Sequence, residues 1–154
     1  MKVVLQKVSS ASVFEQVDSN SSLISEISEG YLLLIAVLKG DTQEEALSLA
    51  QKIVKLRLFS NDNGKINDLS ILDIKGEILV VSQFTLAGDT KKGNRPSFVA
   101  AADPIDAQPL YMFFADQLKQ LGVESVKMGK FGAMMDVSIV NSGPVTLILD
   151  TNTT

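Results

Sequence analysis

Tyr31-Leu32-Leu33-Leu34-Ile35-Ala36-Val37-Leu38 is apolar at every position, and Lys39-Gly40 closes the run. It is far shorter than the roughly 18 apolar residues that a membrane-spanning helix needs. It also lacks the alternation of a strand with one wet face, and so suits a strand buried on both faces. Such a strand must be covered above and below, which asks the rest of the chain for packed layers.

Towards the N-terminus, residues 2–9 and 12–17 alternate in the manner of strands. Asp18-Ser19-Asn20 supplies turn chemistry before a further strand at 23–27. On the other side, Asp41 is placed as a helix N-cap, with Glu44 completing a capping-box pattern. Ala46, Leu49, Ala50, Ile53 and Val54 then recur at helical spacing. A turn cluster at 60–64 and a loop-like stretch lead to a second apolar strand at 77–84. A basic loop follows, containing Gly88, Gly93 and Pro96. A second helix is expected from Asp103-Pro104, with proline at the first helical position and Gly122 as its C-terminal cap. Leu110, Phe113, Phe114, Leu118 and Leu121 form its apolar stripe. Two strands, 135–141 and 145–149, are expected to close the chain around Ser142-Gly143-Pro144, with residues 151–154 as a tail. There is no internal repeat or linker. The expected architecture is a single α+β domain over residues 1–150: a largely antiparallel, barrel-like β-sheet with two packed helices.

The 154 residues are 45% hydrophobic and carry a net charge of -4. No secretory signal is evident, and a soluble, cytoplasmic protein with no membrane partner is expected. Cysteine and histidine are both absent. That removes disulfides, thiolate chemistry, the usual neutral-pH base and most zinc sites, so no metal or cofactor is expected. The acidic balance argues against non-specific coating of nucleic acid, DNA included, because such binding rests on phosphate neutralisation. Lys91, Lys92 and Arg95 nevertheless form a local basic group, and Lys127 and Lys130 a second. Each reads either as a solvated loop face or as a phosphate footprint.

Two segments can carry chemistry. Polarity returns abruptly at Ser82-Gln83-Phe84-Thr85 after the apolar Ile78-Leu79-Val80-Val81. Period two would place Gln83 and Thr85 on one face, where a hydroxyl, an amide and free backbone N–H groups can hold an oxyanion. The same residues also suit a strand simply leaving the core. In Asn141-Ser142-Gly143-Pro144-Val145-Thr146, a proline interrupts two strong strands. Gly-Pro there is open to a cis bond or to an ordinary hairpin turn.

Taken together these segments resemble the D-aminoacyl-tRNA deacylase family, and the likeness runs along nearly the whole chain. It includes Met1-Lys2-Val3-Val4-Leu5-Gln6-Lys7-Val8-Ser9, Leu56-Arg57-Leu58-Phe59 and Val80-Val81-Ser82-Gln83-Phe84-Thr85-Leu86. It continues through Thr90-Lys91-Lys92-Gly93-Asn94-Arg95-Pro96-Ser97-Phe98, Gly129-Lys130-Phe131-Gly132-Ala133-Met134-Met135 and the Asn141 to Thr146 run. The resemblance implies a homodimer that hydrolyses D-aminoacyl-tRNA and also lets glycyl-tRNA pass. Gly143-Pro144, held in cis, would enter the partner's pocket and exclude L-side chains, with Asn141 and Thr146 flanking it. Ser82, Gln83, Phe84 and Thr85 would form the catalytic segment, and Lys91, Lys92 and Arg95 would meet tRNA phosphates. Thr85 is the family's natural nucleophile candidate, but no histidine can activate it. A water oriented by the substrate's ribose 2′-hydroxyl, with backbone N–H groups holding the oxyanion, is the preferred reading. Lys7 departs from the arginine common in the family, and residues 17–24 lack the usual hairpin glycine. The rivals are a non-catalytic dimeric RNA-binding module and a hydrolase of small D-amino acid esters.

Overall fold

The computed structural model describes residues 1–18 and 20–151. The expected turn at Ser19 and the tail beyond Thr151 therefore lie outside the described residues. Strand β1 (Lys2–Val17) is one continuous strand where two were expected. Its first half pairs with β3 (Gly30–Ala36) and its second half with β2 (Asn20–Ile27), both antiparallel. Along its other edge β1 pairs with β8 (Met135–Asp150), again a single long strand in place of the expected two. The break expected at Ser10-Ala11 does not end the strand, because both residues are paired with β8, at Val140 and Ile139.

Parallel pairing appears where it was not expected. β6 (Glu77–Ser82) lies parallel to β3, and β7 (Ser125–Met128) lies parallel to β6. The sheet is therefore mixed, in the order β2-β1-β3-β6-β7, with β8 along β1. A small ribbon of β4 (Arg57–Phe59) and β5 (Leu69–Ser70) stands apart from it. Parallel strands need a long crossover, which is supplied by helix α1 (Gln43–Lys55) between β3 and β6 and helix α2 (Pro104–Gln120) between β6 and β7.

The strand expected at Tyr31 to Leu38 is buried on both faces but ends at Ala36, and Leu38 makes only an isolated bridge to Ala101. Tyr31, Leu33 and Ile35 pack under the helices with Val3, Leu5, Ile78 and Val80, against Ala46, Leu49, Ala50, Ile53 and Val54 of α1. Leu32 faces the opposite side, in a second cluster with Val8, Ala11, Val13, Ile27, Leu79 and Val81. Among the described residues no helix covers that side. The sheet curls on itself, and the Ser25 hydroxyl donates to the Met128 carbonyl at 2.7 Å, tying β2 to β7. Each fully buried Leu or Ile contributes about 1.5–3 kcal/mol through burial.

The helix signals are shifted by one residue at α1. Thr42, not Asp41, is the N-cap, and Glu45 rather than Glu44 completes the capping box. Asp41 is engaged elsewhere: its carboxylate accepts from the Met1 ammonium and from the Leu38 amide, each at 2.6 Å. At α2 the expectation is met, with Pro104 in the first turn and Gly122 at φ +104° just past the C-cap Leu121.

Candidate active site

Strand β6 ends at Ser82, two residues earlier than its polarity pattern suggested. Gln83 still donates its amide to the Ile35 carbonyl at 2.7 Å, but its ψ of 73° leaves the strand. Residues Phe84–Ala87 then form a 3-10 turn, closed by Leu86 N–H to the Gln83 carbonyl and Gly88 N–H to the Thr85 carbonyl. The period-two argument for Gln83 and Thr85 therefore fails, because the backbone there has no period of two. The two residues meet by another route: the Gln83 side-chain amide donates to the Thr85 hydroxyl. A helical turn leaves its first amides without an internal acceptor, here those of Phe84 and Thr85. Thr85 is exposed and its hydroxyl partner is a carboxamide, which cannot act as a base.

Tyr111 supports this strand end, a role its place on α2 did not suggest from sequence. Its phenol, pushed up in pKa by burial and so kept protonated, donates to the Val80 carbonyl at 2.8 Å. The signal was its position one residue past Leu110 on the apolar stripe, which marks it as core but not as a strand support.

The loop after the turn is anchored to it. Asp89 and Ser97 exchange backbone hydrogen bonds of 2.8 and 2.9 Å, forming a narrow neck. Gly93, at φ +67°, turns the chain beyond it. Lys91, Lys92 and Arg95 are all exposed on this loop, and none is in an ion pair among the described residues. Phe98, at the loop's end, packs edge-on against Phe84 with ring centroids 5.2 Å apart and planes at 71°. The second basic pair differs, since Lys130 is held by Glu15 at 2.5 Å.

Gly143 and Pro144 sit in the middle of β8, in a wide bulge. Gln6 faces Thr146 and Val8 faces Asn141, so the single residue Lys7 stands opposite Ser142, Gly143, Pro144 and Val145. Gly143 makes the excursion at φ +112°, a conformation that glycine adopts without strain. The expected cis bond is not found: the Gly143–Pro144 peptide is trans, and the glycine's φ alone turns the chain outward. A polar clasp closes the bulge. The Asn141 amide donates to the Thr146 hydroxyl at 2.9 Å, and the Gln6 amide reaches the same oxygen at 3.4 Å. Asn141 Oδ1 is buried without a protein partner.

The two segments are not brought together within one chain. Ser82, Ile35, Val3 and Leu149 occupy one row across four strands, while the bulge lies opposite Lys7. At sheet spacings, that is roughly 14 Å across and roughly 13 Å along. A depression of about 360 Å³ lies elsewhere, lined in part by Asp41, Asp103 and Asp106. Its carboxylates give it the wrong charge for the phosphate-bearing end of a nucleic acid.

A profile of the family described as D-Tyr-tRNA(Tyr) deacylase matches residues 4–150. A relative from Bacillus cytotoxicus named D-aminoacyl-tRNA deacylase is 49% identical over 150 residues, covering 97% of this chain and 99% of that one. Another of that name, from Roseiflexus castenholzii, is 52% identical and covers 97% of this chain and 92% of its own. Among solved structures, one titled c-Myc DNA Unwinding Element Binding Protein superposes with a TM-score of 0.88 at 41% identity, covering 98% of this chain and 99% of its own. A second, titled as a probable eukaryotic D-amino acid tRNA deacylase, has a TM-score of 0.79 at 18% identity and shares the fold over 96% of this chain and 97% of its own.

Proposed function

This chain belongs to the D-Tyr-tRNA(Tyr) deacylase family, and from that membership we infer that it hydrolyses the ester bond of D-aminoacyl-tRNA, releasing the free D-amino acid and tRNA. It is a hydrolase acting on carboxylic ester bonds. The observation that carries the catalytic assignment is the pair of amides at Phe84 and Thr85, which open the 3-10 turn without an internal acceptor. In our reading, water adds to the ester carbonyl and the negative charge gathers on its oxygen, which these amides receive. The carbon–oxygen bond to the terminal ribose then breaks, and the ribose oxygen takes up a proton. The neighbouring 2′-hydroxyl orients the water, Ser82 ends the supporting strand, and Gln83 fixes the Thr85 hydroxyl beside the ester. Lys91, Lys92 and Arg95 meet the phosphates of the acceptor end. Charged tRNA is the substrate of translation, and on that ground we read the activity as cytoplasmic.

Selection by chirality is assigned to Gly143 and Pro144, acting in a second copy of the chain. The bulge is separated from its own Thr85 segment, which supports action across a homodimer. β8 also pairs only with β1 among the described residues, which leaves its other edge open, and on its exposed face Val140 and Ile148 are 57% and 75% exposed. A long unpaired edge with apolar side chains favours association. In the dimer, backbone at the bulge would collide with an L-side chain and leave room for a D-side chain or for glycine. Asn141 and Thr146 hold the bulge in shape.

The test is hydrolysis of matched D- and L-aminoacyl-tRNA by the purified protein. Selective release of the D-amino acid is expected. Equal hydrolysis of both, or of neither, overturns the proposal, and binding without hydrolysis would point to an RNA-binding module. Comparable turnover of a D-amino acid methyl ester would instead point to a small-ester hydrolase.

A further inference from the structure

The amides of Phe84 and Thr85 follow closely on strand β6, so their direction depends on how the end of that strand is held. It is held from three directions. The Gln83 amide donates to the Ile35 carbonyl of β3 at 2.7 Å. On the other side the Gly129 amide, one residue past β7, donates to the Val80 carbonyl at 2.9 Å. Both bonds run between neighbouring strands and lie in the sheet, so they resist bending out of its plane least. The third bond comes from the helix layer. The Tyr111 phenol of α2 donates to the same Val80 carbonyl at 2.8 Å. Tyr111 is 2% exposed, so water does not compete for its hydroxyl. Its ring also meets Phe131, with centroids 5.7 Å apart and planes at 48°, and so seats the segment that follows β7.

The chain's other tyrosine is also buried but is placed differently. Tyr31 reaches only the Leu56 carbonyl, at 3.4 Å, and Leu56 caps α1 and carries no group of the site. We propose that Tyr111 is a positioning residue for the deacylation: its hydroxyl, acting through the Val80 carbonyl, sets the direction in which the Phe84 and Thr85 amides meet the oxyanion. This rests on the reading that those amides receive the charge. Tyr111 itself touches no substrate. Donors to an oxyanion act only as far as they are aimed beforehand at the place where charge develops. A misdirected donor therefore weakens the transition state more than the bound ester, and the loss falls on kcat rather than KM. Removing such a donor outright costs about a hundredfold to a thousandfold in rate, and misaiming it should cost less, about tenfold.

Tyr111→Phe tests this, because it keeps the ring and its contact with Phe131 and removes only the hydroxyl. The Val80 carbonyl keeps its bond from Gly129, so no buried acceptor is orphaned and the variant should fold, which the urea midpoint checks. Hydrolysis of D-aminoacyl-tRNA by the folded variant should show kcat lowered about tenfold and KM within about twofold of wild type. Two uncleavable analogues of the charged tRNA give a second readout. Affinity for a phosphonate, which carries the oxyanion's charge in place of the ester, should fall by the same factor as kcat. Affinity for the amide analogue, which mimics the bound ester, should hold. Tyr31→Phe removes the other buried phenol and should lower the urea midpoint without lowering kcat. A kcat in Tyr111→Phe within about twofold of wild type, equal weakening of the two analogues, or an equal loss of kcat in Tyr31→Phe overturns the positioning role. D-selective hydrolysis that is undiminished in Tyr111→Phe overturns that role alone and leaves the deacylase reading standing. A wild-type protein that hydrolyses no D-aminoacyl-tRNA overturns both.

Discussion

The Lys7 ammonium donates to the Leu58 carbonyl at 3.1 Å, fastening the middle of β1 to β4 directly opposite the Gly143 bulge. The same ammonium stands 5.8 Å from the Phe59 ring centroid. Lys7 Cε is 3.7 Å from where a side chain on Gly143 would begin. An arginine there could make forked contacts, whereas lysine presents a single point charge. Lys7→Met should therefore remove a charge-assisted hydrogen bond and a cation–π interaction. About 1–2 kcal/mol of stability is the expected cost, read from the urea midpoint. Lys7→Arg should recover most of it, and an unchanged midpoint in Lys7→Met would remove the fastening.

Gly143→Ala should be costly in two ways. Its φ of +112° lies where L-residues are strained, and the new carbon would be 3.0 Å from Val145 Cγ2. Destabilisation of about 1–2 kcal/mol is expected. Activity on D-aminoacyl-tRNA should fall further than stability explains, with KM raised, if the bulge lines the pocket. Unaltered KM and chiral preference would show that it does not.

If, as proposed, the Thr85 hydroxyl only positions the substrate and its backbone amide receives the oxyanion, Thr85→Ala should keep substantial activity, losing no more than about tenfold in kcat. Single-turnover hydrolysis checks this. A loss of several orders of magnitude in a folded variant would make Thr85 the nucleophile.

Replacing Lys91, Lys92 and Arg95 together by Gln should weaken tRNA binding most at low salt. The slope of log affinity against log salt should flatten by about 0.7 for each phosphate that is no longer neutralised, the figure for a single strand. An unchanged slope would assign the three cations to solvent.

Glu77 links three elements: one carboxylate oxygen accepts from the Ser28 amide and hydroxyl, the other from the Ser125 hydroxyl. These bonds, Ser125's first, hold its pKa below the ordinary 4.5. A depressed folded pKa stabilises the fold above pH 4.5, and that stability is lost as pH falls through the lowered value. Asp68, Asp73 and Glu45 are shifted the same way by their own hydrogen bonds. Stability should therefore drop on acidification below pH 4.5, and Glu77→Gln should be less stable than wild type at pH 7 but fall less steeply with acid. Parallel acid limbs for the two proteins would contradict this.

The sequence by itself determined a buried strand within Tyr31 to Leu38, though not its end at Ala36, as well as both helices, and it excluded the chemistry that histidine or cysteine would have carried. Those features are local: runs of apolar residues, 3.6-residue spacing, and the absence of histidine and cysteine are all properties of neighbours or of composition. Chain-long likeness also carried the family assignment, which no single segment did. Tertiary structure alone decided that residues 2–17 are one strand, that β6 lies parallel to β3, and that polarity at Gln83 marks a 3-10 turn. It alone set the trans bulge at Gly143 and the meeting of Phe84 with Phe98. Each depends on partners far away in sequence, as when Gln6 meets Thr146 across 140 residues. Backbone groups of a strand accept any partner that satisfies their hydrogen bonds, so the choice among partners rests with the packing of the whole chain.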